Sequence, residues 1–428
     1  MTISIPTDVN AILDSLMSKG HEAYIVGGCV RDSIRGVVPK DWDITTSALP
    51  SQVVEIFPRT YETGIKHGTI TVLVGSHGYE VTTYRIDGTY QDSRRPQDVT
   101  FTSNIQDDLS RRDFTMNAIA YNPVCGFVDP YDGQVDIGRK LIRCVGDAHC
   151  RFGEDALRML RAVRFAGQLG FAVDDAALEA IFVLRSSLAK ISAERIRDEL
   201  VRLITSPYVE AINLLESTGL LPYVLFGHTF DGDIQETSRM LADCPMQASL
   251  RLTIFIASSG IACNKIMREL RFDNKIIRDV SLYVNMLHST IHNSRYEIKK
   301  NLRQMPQIHD NECPRHVSQK YFENLLILKS IVYPQDAKRL ISILHESRDI
   351  QASGECYTLR DLLINGEILA KAGIPRGKAI GDKLEKILDI VMRDPKQNLY
   401  MYDYYVKNMY NTEIVTHPGA ETNANDVQ

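Results

Sequence analysis

Residues Glu22 to Thr46 read EAYIVGGCVRDSIRGVVPKDWDITT, and no other stretch restricts the fold as much. An apolar run of strand length ends in two glycines, and a segment with helical spacing follows as far as Gly36. The chain then returns through DWDITT, which has the composition of a second strand. Two strands joined through a glycine turn and a helix require an α/β layer. The flanks agree. Val9, Ile12, Leu13 and Leu16 repeat at helical spacing within residues 1–20, and LPSQVVEIFP begins and stops on prolines as a helix. GTITVLVGSHGYEVTTYR alternates as a hairpin around a glycine-bearing turn. From about Leu141 the pattern becomes helical. EDALRMLRAVRFAGQLGF, DDAALEAIFVLRSSLAKI and SAERIRDELVRLITS all carry the 3.6-residue period, and it continues toward the C-terminus.

Asp41 and Asp43 are the chemically pointed residues of the opening stretch. In an extended strand they share one face, and Trp42 takes the other. Carboxylates that close raise one another's pKa unless a cation lies between them. A hard divalent ion suits them, and Mg²⁺ fits when phosphates complete its shell. On its own the pair reads better as two solvated aspartates at a strand end. Three neighbours shift the balance. GGCVRD offers backbone N–H groups at a helix start for a phosphate, Arg31 adds a planar donor fork, and Glu80 lies on the following hairpin, where a sheet could bring it alongside. Together they describe two-metal phosphoryl transfer.

Composition excludes several other classes. The chain is 44% hydrophobic and 24% charged, as soluble globular proteins are. It has no apolar run of about 18 residues to span a membrane. Its start, MTISIPTDVNAILDSL, lacks the pattern of a secretory signal, so a cytoplasmic location is the expectation. Eight cysteines are scattered without a CxxC, which favours thiols over disulfides. Cys144, His149 and Cys150 lack the second ligand pair of a zinc finger. A net charge of −5 does not advertise nucleic-acid binding, but that needs only one basic face. Ile261 to Arg303 holds nine Lys and Arg against four Asp and Glu, which reads first as a solvated helical surface.

In order and spacing, GGCVRDSIRG…DWDITT, RRDFTMNAIAYN, EDALRMLRAVRFA and SAERIRDEL resemble the successive motifs of tRNA nucleotidyltransferases. More narrowly, they look like the bacterial class II CCA-adding enzymes and their poly(A) polymerase relatives. The likeness is strong over roughly residues 20–200 and weaker in DLLINGEILAKAGIPRGKAIGDKLEKILDIVMRDPKQN. It implies an α/β nucleotidyltransferase head with a polymerase-β-like mixed sheet (1–140). An all-α neck (141–205), body (206–330) and tail (331–428) would follow, the tail ending in a disordered THPGAETNANDVQ.

The resemblance also implies roles. Asp41 and Asp43 would hold catalytic Mg²⁺, with Glu80 as the third acid. Gly27, Gly28 and Arg31 would take the triphosphate. Arg112, Asp113 and Asn117 would read the sugar, because a carboxylate left unpaired by a deoxy analogue rejects it. A plainer role for Asp113 is a helix N-cap. The polar run from Arg85 to Phe101 matches a mobile loop that accompanies addition of the terminal A. Asp155 and Arg158, three apart on an expected helix, are either a surface ion pair or a protein template. Cytosine and adenine both present an amino donor beside a bare ring nitrogen, which an Asp and an Arg can match. Uracil and guanine present the opposite pattern and would leave buried groups unpaired. Arg161 and Arg164 continue the basic stripe, while Glu194, Arg195 and Arg197 would buttress the helix.

The implied activity is CCA addition to the acceptor end of tRNA from CTP and ATP, with release of pyrophosphate. The basic stretch from 261 to 303 and the tail residues Arg376, Lys378 and Lys383 are candidate contacts to the tRNA phosphate backbone. An A-adding enzyme or poly(A) polymerase is the alternative within the family, and a catalytically inactive RNA-binding protein the alternative outside it. His309-Asp310 lacks the spaced histidines of a phosphohydrolase, and the oligomeric state stays open.

Overall fold

A computed structural model of the chain describes residues 2–88, 99–306 and 313–415. The expected loop centre, His309-Asp310 and the polar terminus THPGAETNANDVQ all lie outside the described residues. The contacts divide the chain into two compact units, Met1–Val284 and Asn285–Gln428.

The first unit opens with helix α1 (Thr7–Ser18), strand β1 (Ala23–Val26), helix α2 (Gly28–Ile34), strand β2 (Ile44–Thr46) and helix α3 (Pro50–Ile56). Strands β3 (Thr60–Gly64), β4 (Thr69–Val74), β5 (His77–Thr83), β6 (Arg85–Asp87) and β7 (Val99–Phe101) lead to helix α4 (Ile105–Ser110). Strands β8 (Ala120–Asn122) and β9 (Gly126–Val128), helix α5 (Gly133–Arg139) and strand β10 (Leu141–Ile142) complete the α/β part. Helices α6 (Ala148–Glu154) and α7 (Leu157–Leu169), strand β11 (Ala172–Val173), and helices α8 (Asp175–Leu184) and α9 (Ala193–Ile204) follow. Beyond them come further helices, among them Ile234–Asp243 and Ala248–Ser259. The second unit contains helices such as Pro314–Val332, Lys378–Arg393 and Gln397–Val415.

Seven strands form one mixed sheet in the order β3-β4-β5-β2-β1-β8-β9. Within it β2 and β5 pair in parallel, with Ile44 opposite Val81 and Thr46 opposite Thr83. The β4–β5 hairpin turns through Gly75 at φ +61°. Tyr24, Val26, Tyr84, Ile105, Leu109, Ala118 and Ala120 form the core under the sheet's centre. Burying such side chains gives about 1.5–3 kcal/mol each, which anchors the strand ends carrying the polar groups. α2 starts at the double glycine and ends before Gly36, which takes φ +75°.

The run Arg85 to Phe101 is not loop at its ends. β6 pairs with β7, Arg85 opposite Phe101 and Asp87 opposite Val99. Phe101 lies against Gly68, which sits at φ +83° and whose added Cβ would meet the ring at 2.8 Å. Among the described residues no single helix is long and apolar enough to cross a membrane.

Candidate active site

The turn from β1 into α2 begins the site. Gly27 takes φ +78°, a left-handed conformation that side chains resist, and its added Cβ would approach Arg112 Nη1 to 3.0 Å. Beside it, Val26 N donates to Asp43 O at 3.0 Å. The strand itself begins only at Ile44, so Asp41 and Asp43 precede β2 rather than lying within it as DWDITT suggested. Both are exposed, and Trp42 is half-buried. Extending the β2–β5 register by one residue sets Glu80 opposite Asp43. Burial pushes the Asp43 carboxyl above its usual pKa, Arg112 opposes this, and the charges of Glu80 and Asp41 add to it. Asp43 is reachable by water yet crowded by protein and like charge. Two aspartates of this kind are the donor set of a hard cation that takes further ligands from water and phosphate. Among the described residues no three His, Cys, Asp or Glu side chains converge to hold a metal, so Glu80 does not close a three-acid cluster.

Gly27, Gly28 and Asp43 form one end of an open cleft of about 520 Å³. Its wall also contains Arg31, Arg112, Asp113, Asn117, Asp155, Arg158, Arg161 and Arg164. The structure therefore brings together every expected site residue except Asp41 and Glu80. Sequence reasoning had not placed Arg111, Leu157, Phe165, Gln168, Arg195 and Arg202 there. Eight arginines against three aspartates give the lining an excess of five positive charges, suited to a polyphosphate.

Few of these cations are loose. Arg31 donates through Nε and Nη2 to Asp32 at 2.9 and 3.0 Å, and through Nη1 to Asn117 Oδ1 at 2.7 Å. Its fork is largely occupied by protein, so it presents an edge rather than a free bidentate face. Asn117 Nδ2 donates to Asp113 Oδ1 at 3.1 Å, and Arg161 binds Asp113 Oδ2 through Nε and Nη2 at 2.8 and 2.6 Å. Burial would raise the Asp113 pKa, but Arg161 and Asn117 outweigh it and hold the carboxyl well below the usual range. Asp113 caps no helix. It precedes a short 3₁₀ turn, Thr115–Asn117, that has no side-chain cap. The Phe165 ring packs edge-on against Phe114, with the guanidinium groups of Arg31, Arg161 and Arg164 at 5.3, 5.4 and 3.8 Å from its centre.

Asp155 and Arg158 do not share a helix. α6 stops at Glu154, Asp155 sits in the break at φ −138°, and α7 begins at Leu157. Asp155 accepts from Leu157 N at 3.0 Å and from Arg195 Nη2 at 2.7 Å. Arg158 pairs with Glu154 and donates to Arg151 O and Arg111 O at 3.0 and 2.9 Å. They are thus not a surface ion pair with each other; separate partners fix each at the cleft wall. Within SAERIRDEL the cleft-side supports are Arg195, on Asp155, and Glu199, on Arg164. Arg197 instead pairs with Asp198. Along α7, Leu157, Arg158, Arg161, Arg164, Phe165 and Gln168 form one helical face. That period was the signal by which Phe165 and Gln168 could have been found.

Away from the cleft, the basic run divides: Lys265, Arg268, Arg271, Lys275 and Arg278 in the first unit are exposed, while its second-unit part is paired. In the second unit Lys299 is buried and donates to Met392 O at 3.0 Å, Arg295 pairs with Asp349, and Arg303 pairs with Glu385. Arg376 and Lys378 are exposed.

Two family models match the chain. Residues 23–143 match the poly A polymerase head domain, and residues 170–229 match a probable RNA- and SrmB-binding site of polymerase A. That places the chain in the nucleotidyltransferase class whose head is shared with poly(A) polymerases. A CCA-adding enzyme of Leuconostoc mesenteroides is 35% identical over 387 residues, covering 89% of this chain and 90% of the relative. One from Geobacillus thermodenitrificans is 50% identical over 214 residues, half of this chain, and there the chain spans about half (53%) of the relative's length. The structure of the Bacillus stearothermophilus CCA-adding enzyme in complex with CTP superposes with a TM-score of 0.77 at 29% identity, over 95% of this chain and 98% of the other. The Thermotoga maritima enzyme complexed with tRNA shares the fold at 19% identity, with a TM-score of 0.60 over 94% and 96%. The chain belongs to the CCA-adding enzyme family.

Proposed function

We propose that the chain adds C, C and A to tRNA 3′ ends from CTP and ATP, releasing pyrophosphate. The observation that carries this is the single cleft joining the Gly27 turn and Asp43 to Asp155 and Arg158. A phosphate-binding end and a base-reading end share one volume of nucleotide size. Along it, backbone N–H groups at Gly28 and the arginine-rich wall receive the triphosphate. Asp113, kept ionised, offers a carboxylate where the sugar would lie, while Asp155 accepts from a base amino group and Arg158 donates to the ring nitrogen. Because both readers are already held by protein, selection needs no reorganisation when the base arrives. Asp41 and Asp43 would hold Mg²⁺, which when bound polarises the attacking hydroxyl and the phosphates. Residues 1–140 would be the head, 141–205 the neck, 206–330 the body and 331–428 the tail. With no disulfide among its eight cysteines, the enzyme fits the cytoplasm, where tRNA is.

The test is a denaturing gel of tRNA lacking its last three nucleotides, incubated with CTP, ATP or both. Growth by two nucleotides with CTP and by three with both is expected. Growth with ATP alone and none with CTP would assign the A-adding or poly(A) polymerase alternative instead. The D41A/D43A variant should bind tRNA and incorporate nothing; undiminished incorporation would remove the aspartates from the chemistry.

A further inference from the structure

Asp108 is a carboxylate with no solvent exposure, on the short helix α4 just before the cleft arginines. Its Oδ1 accepts from Arg111 Nε and Nη2 at 3.0 and 2.7 Å. Its Oδ2 accepts from Arg112 Nη2 at 3.2 Å, and the Thr45 hydroxyl lies 3.4 Å from the same oxygen. Thr45 has a single proton, shared between that contact and Thr82 O at 3.2 Å. Burial would raise the Asp108 pKa, but Arg112 and Arg111 together lower it, so the group is an anion. A buried anion ringed by two guanidinium groups is well determined in position, because each donor removed leaves charge unpaired.

The two arginines reach different parts of the cleft lining. Arg112 lies against the Gly27 turn, and its charge is the one that counters the raised pKa of Asp43. Its Nε is buried without a hydrogen-bond partner, so its hold on the protein runs through Asp108. Arg111 offers its backbone carbonyl to Arg158 Nη2 at 2.9 Å. Thr45 belongs to β2, two residues from Asp43. One carboxylate thereby touches the strand that follows Asp41 and Asp43, the arginine beside the Gly27 turn and the residue whose carbonyl holds Arg158.

We propose that Asp108 is the positioning residue that sets the phosphate end and the base-reading end of the cleft relative to each other. It touches no nucleotide; it acts through Arg112 and Arg111. The inference rests on the nucleotidyltransferase reading above and adds a residue to it. Asp108→Asn keeps the shape, removes the charge and leaves two guanidinium groups without their shared anion. Nucleotide and metal end then lose register, and misplacement by about 1 Å costs on the order of 100-fold in rate.

The test uses the full chain and tRNA lacking CCA, with kcat and KM for CTP and ATP, misincorporation of UTP, and CTP affinity by calorimetry. D108N is expected to keep the parent's circular dichroism at 25 °C, to lose about 100-fold in kcat/KM, and to discriminate against UTP about tenfold less strictly. In an R112Q background the same substitution should cost markedly less, since one of its two levers is already gone. A D108N enzyme with a lowered Tm but parental kinetics and discrimination would make Asp108 purely structural and overturn the proposal. Should D108N not fold, Asp108→Glu keeps the charge and shifts it by one methylene. Relaxed discrimination in D108E supports the proposal, and parental discrimination overturns it. If the parent itself adds no nucleotide, the functional reading fails instead. CTP affinity then decides about Asp108: a weaker D108N supports the inference, and an equal one ends it.

Discussion

Arg158 is a buried cation that holds the protein together and, in the proposed function, would also read the base. Its partners, Glu154 and two backbone carbonyls, fix the guanidinium plane before any base arrives. Arg158→Ala should leave the C and A reactions running more slowly while weakening the rejection of UTP by about tenfold or more, the equivalent of losing one charged hydrogen bond. Single-nucleotide incorporation with each of the four NTPs measures this, and unaltered strictness would show that the base is read elsewhere. Asp113 gives a pH signature. Its folded pKa lies below the unfolded value, so its stabilisation is complete above the ordinary carboxylate range and is lost as pH falls below it. Asp113→Asn should cost roughly 2 kcal/mol at pH 7. The gap to the parent should narrow at the most acid pH where both still fold. Urea midpoints at the two pH values check the sign, and a constant gap would contradict it.

Between elements, the close approach of α7 and α9 governs the cleft wall. Gly167 faces Ser206 and Leu203, and an added Cβ would lie 2.6 Å from Ser206 Oγ and 2.9 Å from Leu203 Cδ1. A glycine inside a helix ordinarily gains up to about 1 kcal/mol when replaced by alanine. Here the clash wins, because Ser206 and Leu203 are both buried and the Ser206 hydroxyl is tied to Leu203 O at 2.6 Å. Gly167→Ala is expected to destabilise by about 1–3 kcal/mol and lower Tm. It should also loosen the Arg164–Glu199 pair between the same two helices and the Asp155–Arg195 pair just before α7. A raised Tm would mean that the helices have room to spare. The β6–β7 ribbon is seated in the same manner, by Phe101 against the left-handed Gly68.

At the level of the whole molecule, net charge misleads. The chain carries −5, yet the cleft lining counts eight Arg against three Asp. It stays net positive even when the paired Asp32, Asp108, Glu154 and Glu199 behind it are included. Arg295, Lys299 and Arg303 in the second unit, by contrast, are spent on internal pairs. Binding of a polyanion is decided by where uncompensated cations stand. Arg376 and Lys378 are exposed at the start of the Lys378–Arg393 helix. The double variant R376Q/K378Q should weaken tRNA binding, and the slope of log Kd against log salt should fall by about one to two. CTP affinity should stay unchanged. Filter binding at several KCl concentrations reads both, and an unchanged slope would remove these two side chains from the RNA surface.

Local pattern was enough for the α/β head, the glycine turn into α2, the β4–β5 hairpin and the period of α7. Those depend on side-chain alternation and on backbone preferences that neighbouring residues set. The membership of the cleft was also largely readable, because its residues recur in ordered motifs. Only the tertiary structure decided the rest. A break at Asp155 inside an otherwise helical pattern is stabilised by Arg195, 40 positions away, and no local rule reports such a partner. Lys299 looked like a solvent-facing cation and is buried, since its charge is met by residues far along the chain. Asp108 reads as one acid among several in QDDLSRRDF. Its pairs with Arg111 and Arg112 are local, but its contact with Thr45, 63 positions earlier, exists only because the sheet brings strand and helix together. Chain periodicity fixes which face a residue occupies, whereas pairing energies between distant charges fix what that face confronts.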